Sequence, residues 1–296
     1  MTLRQALIAA TQKLVSSEHL QPNAQRDAEL LLLYTLDISK ATLLAHPEKP
    51  LTPEAAARYE AAIDRRLRNE PIQYITGQQE FYGLTLRVTP AVLIPRPETE
   101  HLVEAVLAKL AKLAGTAEIH AHHPHLRIAD IGTGSGAIAI ALAIHLPHAE
   151  ITAIDLSLEA LQVAEANARL HHLAHRIRFQ HADLLASHIA THAEPFDAIV
   201  SNPPYIPLSD HDQLHPQVRD HEPSSALYAG PSGLDIYRRL IPQAKAALKP
   251  NGLLALEIGH GQREALAALL ADWHKVAFLD DLRQIPRVAL AQNPGT

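Results

Sequence analysis

The segment Ser201-Asn202-Pro203-Pro204-Tyr205 carries the residue types in this sequence that are best suited to chemistry. Two consecutive prolines fix the backbone and remove two N–H donors, so their carbonyl oxygens have no competing donor beside them. The Asn202 side-chain oxygen can supply a second acceptor next to the Pro203 carbonyl, and Tyr205 offers a flat face. A planar conjugated –NH2 group, as in an amide, an adenine or a cytosine, fits this arrangement. Holding both N–H bonds stabilises positive charge as the nitrogen accepts a methyl group, so we expect amino-group methyl transfer.

A glycine-rich turn, Gly132-Thr133-Gly134-Ser135-Gly136, follows a strand-like run that contains Asp130. Glycines let the backbone turn sharply and lie against a ligand with no Cβ in the way. Asp155 ends the next strand-like run, where a carboxylate can accept hydrogen bonds from both hydroxyls of a ribose. Asp183 follows the third run, within reach of a nucleoside base. The three carboxylates and the turn together predict a nucleoside-containing cofactor.

Alternating strands and helices must position these residues. The pattern predicts a parallel sheet covered on both faces, with ligands at the carboxyl ends of its strands. The expected strands are 126–131, 150–154, 176–180, 196–201 and 252–258, and the expected helices are 138–145, 158–170 and 235–248.

The first ~70 residues have helical periodicity instead. Thr52, Pro53 and Glu54 are typical of a helix start, and Pro71 predicts that this helix ends near Asn69. Three arginines at its far end are expected to form a solvated helix terminus, or alternatively to contact an RNA-bound partner. They are Arg65, Arg66 and Arg68. Residues 81–88 predict a short hairpin around Gly83, and a further helix is expected from Pro95 to Gly115.

Composition limits the possible functions. The 296 residues include no cysteine, which excludes disulfides, thiolate catalysis and zinc sites that use sulfur. The net charge of −6 argues against a nucleic acid as the main partner. No apolar run is long enough to span a membrane, so we expect a cytoplasmic protein. The histidines bunched near Pro124 predict a surface linker rather than a metal site: His120, His122, His123 and His125.

The glycine spacing resembles that of class I S-adenosylmethionine-dependent methyltransferases more than the dinucleotide fingerprint. Over nearly the whole chain, the sequence is similar to the peptide chain release factor glutamine methyltransferase family, also called the HemK family. The motifs that carry this resemblance are Arg96-Pro97-Glu98-Thr99-Glu100, Asp130 to Gly136, Asn202 to Tyr205, Glu222-Pro223 with Ala226-Leu227 and Gly233-Leu234, and Leu256-Glu257-Ile258-Gly259.

The resemblance implies a Rossmann-like, mostly parallel seven-stranded sheet and a small N-terminal helical domain. The implied division is a substrate-recognition domain at 1–75, a hairpin linker at 76–95 and a methyltransferase domain at 96–296. The implied reaction methylates the side-chain nitrogen N5 of the glutamine in the Gly-Gly-Gln motif of class I release factors. S-adenosyl-L-methionine is the implied methyl donor, no metal takes part, and the N-terminal domain helps to grip the release factor.

Individual roles also follow from the resemblance. The implied cofactor-binding residues are Gly132, Thr133, Gly134, Ser135, Gly136, Asp155, Asp183, Leu184 and Asn202. Asn202, Pro203 and Tyr205 are the implied catalytic residues, and together with Pro204 they form the glutamine pocket. Leu184 stands where many members have an aromatic residue, and 281–287 lacks the glycine usual before the final arginine-containing strand. Two other substrates stay open, a glutamine of a ribosomal protein and, more distantly, an adenine of a nucleic acid.

Overall fold

The computed structural model describes residues 1–113, 126–191 and 193–295, and the chain divides into two compact units. The helical unit comprises Met1–Gln78 and Asp212–His221, and the sheet unit comprises Gln79–His211 and Glu222–Thr296. The histidine cluster at 120–125 lies outside the described residues. The three-part division at residues 75 and 95 stays a prediction.

Side-chain caps and an apolar core explain the helical unit. Thr52 Oγ1 accepts a hydrogen bond from Ala55 N at 3.2 Å, which satisfies a free donor of the first turn as the sequence predicts. Leu14, Leu31 and Leu32 are fully buried between the helices. The helices are α1 (Leu3–Val15), α2 (Ala24–Leu36), α3 (Lys40–Ala45), α4 (Pro53–Leu67) and α5 (Ile72–Thr76), and Asp212–His221 contributes the short helix α10 (Pro216–Arg219).

One arginine at the end of α4 is not solvated, so the expectation for it is wrong. Arg66 is buried, and its Nε donates to Asp27 Oδ2 of α2 at 2.8 Å. Its Nη1 also donates to the Glu70 carbonyl at 2.9 Å. Both charged side chains are more than nine-tenths buried. The neighbouring Arg65 pairs with the Glu70 carboxylate at a more exposed position.

A seven-stranded sheet forms the centre of the sheet unit. Its strand order is β5-β4-β3-β6-β7-β9-β8, with β9 antiparallel to both of its neighbours and the other pairings parallel. The expected mostly parallel seven-stranded sheet is therefore confirmed. Its strands are β3 (Arg127–Ile131), β4 (Glu150–Asp155), β5 (Ile177–His181), β6 (Phe196–Ser201), β7 (Leu248–Glu257), β8 (His274–Asp280) and β9 (Pro286–Gln292).

Helices cover both faces of this sheet. The apolar side chains of α6, α7 and α8 pack on one face, and those of α9, α11 and α12 pack on the other. The helices are α6 (Glu100–Leu113), α7 (Ala137–His145), α8 (Leu158–Leu170), α9 (Ala186–Ala190), α11 (Asp235–Ala247) and α12 (Arg263–Leu269). The hairpin is also present, with β1 (Gln78–Phe81) and β2 (Leu84–Arg87) joined through Tyr82 and Gly83, both at positive φ.

One expectation for the C-terminal part needs correction. Strand β7 begins at Leu248 rather than Gly252, and a register shift opposite the start of β6 accommodates the extra residues. The turn between β8 and β9 contains no glycine; Gln284 adopts the left-handed conformation there, at φ 61°. The Asp281 carboxylate secures this turn by accepting hydrogen bonds from the backbone N–H groups of Arg283 and Ile285.

Candidate functional site

The glycine-rich turn after β3 depends on a backbone that other residues rarely adopt. Gly132, Gly134 and Gly136 all have positive φ, at 70°, 55° and 81°. A Cβ on Gly132 or Gly134 would meet nothing closer than 4.0 Å, so the turn leaves open space beside it. A Cβ on Gly136 would lie 3.1 Å from the Ala164 Cβ. Gly136 therefore allows α7 and α8 to pack closely, whereas the first two glycines border the open space.

Asp155 at the end of β4 organises the two turns around it. Its Oδ2 accepts a hydrogen bond from Gly134 N at 2.8 Å, and its Oδ1 accepts one from Ser157 N at 2.9 Å. An ionised carboxylate has about four lone-pair sites, so about two stay free for hydroxyl groups of a ligand. The predicted ribose contact is thus compatible with the bonds that Asp155 already makes.

Asp130, inside β3, makes hydrogen bonds that stabilise the fold and does not face a ligand site in the way that Asp155 does. Its Oδ2 accepts hydrogen bonds from the Thr133 hydroxyl at 2.7 Å and from Ala139 N at 3.1 Å. Burial raises the pKa of Asp130 to about 7 against the opposing effect of these bonds. Asp130 therefore stabilises the glycine-rich turn and the first turn of α7.

Asp183 and Leu184 follow β5. The Asp183 carboxylate is half exposed and pairs with the Arg239 guanidinium of α11. Leu184 is in the left-handed region, at φ 53°, which is costly for a non-glycine residue. Both residues line the same cleft as Asp155.

The turn after β6 holds the predicted catalytic residues. The Ser201 hydroxyl donates to the Ile131 carbonyl at 2.7 Å, which fastens this strand end to the glycine-rich turn. The Asn202 Nδ2 donates to the Thr99 hydroxyl oxygen at 3.0 Å. Pro203 is buried, and the Tyr205 hydroxyl donates to Glu257 Oε1 at 3.4 Å.

Glu257, the last residue of β7, lies behind this turn. It is 2% exposed, and burial raises its pKa to about 7 although Thr99, Arg287 and Tyr205 lower it. Burial also raises the pKa of Tyr205, with a further contribution from the Glu257 charge. The Tyr205 hydroxyl is therefore a hydrogen-bond donor and not a base at neutral pH.

A cleft of about 340 Å³ connects these parts. The predicted residues that line it come from four strand ends: Gly132, Thr133, Gly134, Ser135, Asp155, Asp183, Leu184, Asn202 and Pro204. Gly136, Pro203 and Tyr205 are not among the described lining residues. The cleft thus brings the glycine-rich turn and Asn202 together, and Tyr205 contributes from a second layer.

Several residues at this site have no role in the sequence-based assignment. Arg96 lines the cleft and pairs with Glu222, whose side chain is fully buried and also accepts from Ile94 N. Gln262 donates to the Tyr205 carbonyl at 2.9 Å and accepts from Gly259 N at 3.0 Å. These contacts join residues far apart in the chain. The family motifs contain Arg96, Glu222 and Gly259, but Gln262 had no local signal.

Comparison with known sequences then decides the family. Residues 5–77 match the family described as PrmC N-terminal domain, and residues 115–218 match the methyltransferase small domain. The release factor glutamine methyltransferase of Koribacter versatilis is 43% identical over 99% of this chain and 99% of that protein. The chain belongs to the release factor glutamine methyltransferase family. Family members from Moorella thermoacetica and Deinococcus radiodurans are 46% and 40% identical, over 91% and 100% of this chain and 89% and 100% of those proteins.

Solved structures of lower identity share the fold. The human methyltransferase 10 domain containing protein has a TM-score of 0.50 at 18% identity, covering 73% of this chain and 90% of that chain. The 16S rRNA methyltransferase RsmC of T. thermophilus has a TM-score of 0.53 at 19% identity, covering 73% and 49%. The Rossmann-like methyltransferase fold is therefore confirmed, as are the enzyme class and the family named from the sequence motifs.

Proposed function

We propose that this protein transfers the methyl group of S-adenosyl-L-methionine to the side-chain nitrogen N5 of the glutamine in the Gly-Gly-Gln motif of class I release factors. The observation that carries the proposal is the cleft in which Asn202 stands beside the glycine-rich turn and Asp155. Membership of the release factor glutamine methyltransferase family supports the choice of substrate.

The residues present fit the proposed cofactor. The open space beside Gly132 and Gly134 suits a methionine moiety, and the free lone pairs of Asp155 suit ribose hydroxyls. Asp183 and Leu184 would border the base. The bound cofactor supplies an electrophilic methyl group on a sulfonium ion.

Asn202 and Pro203 would hold the substrate amide through two acceptors. The Asn202 amide donates through Nδ2 to Thr99, which leaves its Oδ1 available to accept one substrate N–H bond. The Pro203 carbonyl would accept the other, with Pro204 bordering the glutamine and Tyr205 completing the pocket. Binding both N–H bonds favours a pyramidal nitrogen and stabilises its developing positive charge. The substrate nitrogen would lose one proton to solvent during or after its gain of the methyl group, so no strong general base is required.

The direct test is tandem mass spectrometry of a class I release factor after incubation with this protein and S-adenosyl-L-methionine. We expect one added methyl group on the Gly-Gly-Gln glutamine, and none in a release factor with alanine at that glutamine. An unmodified peptide, with cofactor binding verified separately, would overturn the choice of substrate. It would direct the search to a ribosomal protein or to a nucleic-acid adenine.

Asp155→Ala is expected to weaken cofactor binding by roughly tenfold to a hundredfold, because each hydrogen bond to a charged group contributes about 1.5–3 kcal/mol. Isothermal titration calorimetry measures the effect. Asp183→Ala is the comparison, and its smaller loss is expected because Asp183 is half exposed and paired with Arg239. Normal cofactor affinity in Asp155→Ala would contradict the ribose assignment.

We propose a protein substrate in the cytoplasm, with no direct contact to nucleic acid and no metal cofactor. Among the described residues, no helix is long and apolar enough to cross a membrane. The same part of the chain has no group of three or more side chains able to hold a metal ion.

A further inference from the structure

A buried polar network lies behind Asn202. The Thr99 hydroxyl accepts from Asn202 Nδ2 at 3.0 Å, and its position beside the Glu257 side chain lowers the pKa of that carboxyl group. Glu257 Oε1 accepts a hydrogen bond from the Tyr205 hydroxyl at 3.4 Å. Thr99 is 4% exposed and Glu257 is 2% exposed, so both contacts lie away from water. Four residues from three separate parts of the chain therefore meet at one buried point.

The network has a direction. A threonine hydroxyl has one proton and two lone pairs. Because Thr99 accepts from the Asn202 amide, its own proton is free to bind the Glu257 carboxylate. A hydrogen bond from Thr99 to Glu257 would therefore continue the one that Asn202 donates to Thr99. This order would fix which end of the Asn202 amide faces Thr99 and would keep Oδ1 on the opposite side.

Stability alone does not account for a carboxylate at this position. One oxygen of Glu257, Oε2, is buried with no hydrogen-bond partner among the described residues. Arg287 is a charged group that favours ionisation of Glu257, whereas Glu98 opposes it. Burying an incompletely paired carboxylate is costly compared with an apolar side chain of similar size. Such a cost commonly accompanies a functional requirement.

We propose that Thr99 and Glu257 are positioning residues for methyl transfer, which hold the Asn202 amide with Oδ1 directed to the substrate nitrogen. This inference rests on the proposed function, because it assigns Asn202 its acceptor role there. Neither residue touches the reacting atoms in this scheme. They act by preventing rotation of the amide, which would present N–H donors to a substrate that needs acceptors.

Substitutions at Thr99 test the hydroxyl. Thr99→Val keeps the shape and removes the hydrogen bonds, and we expect kcat to fall about tenfold to a hundredfold, as is typical of residues that orient a catalytic group. The Kd for S-adenosyl-L-methionine should stay within about twofold because none of the proposed cofactor-binding residues is altered. Thr99→Ser should recover most of the rate. Thr85→Val, on the exposed side of β2, is the matched control and should behave as the unaltered protein.

A wild-type rate in Thr99→Val would overturn the inference. Equal losses in Thr99→Val and Thr99→Ser would also overturn it, because Thr99→Ser keeps the hydroxyl and would show that the hydroxyl alone does not preserve the rate. Thermal unfolding of each variant separates these outcomes from a failure to fold.

The pH dependence tests Glu257. The groups that face its carboxyl group are the Thr99 and Tyr205 hydroxyls, Arg287 and Glu98, and the Tyr237 hydroxyl binds its backbone carbonyl. As the pH falls through about 7, Glu257 takes up a proton and becomes a weaker acceptor for Thr99. We expect kcat to fall over this range, and Glu257→Gln to have a low rate without this dependence. Retention of the wild-type pH profile in Glu257→Gln would contradict the assignment.

A measurement without substrate separates this inference from the proposed function. In 15N-labelled protein, the Asn202 side-chain amide protons, assigned with Asn202→Ala, should exchange slowly and shift with pH near 7. Thr99→Val should abolish the protection, and Glu257→Gln should abolish the shift. Rapid exchange in the unaltered protein would refute the network even if release factors are methylated. Failure to methylate any release factor, with the amide protected, would refute only the proposed substrate.

Discussion

Asn202→Ala is expected to lower the rate of methyl transfer by about 10²–10³-fold, the usual effect of removing one polar group that stabilises charge in a transition state. The variant loses the acceptor for one N–H bond of the substrate amide. Its affinity for S-adenosyl-L-methionine should change much less, because the glycine-rich turn and Asp155 stay in place. Single-turnover rates at saturating cofactor, together with calorimetric titration, measure the two effects separately.

Asn251→Gly is the control for this substitution. Asn251 lies at an exposed position of β7 with φ 62°, where glycine is readily accommodated. The control should keep both the rate and the affinity. If Asn202→Ala lost rate and cofactor affinity equally, Asn202 would be a binding residue for the cofactor rather than an acceptor for the substrate.

Asp27→Ala is expected to destabilise the helical unit by about 3–5 kcal/mol, since it leaves the Arg66 guanidinium buried without its carboxylate partner. Hydrogen exchange of the α2 and α4 amides measures this loss. Glu60→Ala removes the exposed pair with Lys13 and should have little effect. Unchanged exchange in Asp27→Ala would show that Arg66 finds another partner or reaches water.

The same variant tests the predicted grip of the N-terminal region on the release factor. Cofactor binding should persist in Asp27→Ala because the proposed cofactor residues all belong to the sheet unit. The KM for the release factor should rise. An unchanged KM in a variant whose helical unit is measurably destabilised would argue that this unit does not recognise the substrate.

Local patterns were sufficient for much of the sheet and the cleft. Strand β6 and helix α8 have the predicted bounds, because turn residues and apolar runs mark their ends in the sequence. The glycine-rich turn was also predictable, since few other residues adopt the required φ. The cleft follows from these local features, because parallel strands bring their carboxyl ends to one edge.

Contacts between distant residues could not be predicted in this way. Arg65, Arg66 and Arg68 look alike in the sequence, and only tertiary packing on Asp27 buries Arg66. Gln262 lies on no motif, yet it secures the turn that contains Tyr205. Strands β8 and β9 were given no bounds from the sequence; β8 is an edge strand with exposed ends, whereas β9 is an interior strand that is mostly buried. Local propensity carries little information about such pairings.

The helical unit is built from two separate segments of the chain, and this has a consequence for its folding during synthesis. Its first part ends at Gln78, whereas its second part, Asp212–His221, is made much later. At about 5–20 residues per second, the intervening chain takes roughly 7–27 s to emerge. The buried apolar core of this unit lies wholly within its first part, so the N-terminal helices can pack before the second part is made. A nascent chain is therefore expected to add Asp212–His221 to helices that have already packed.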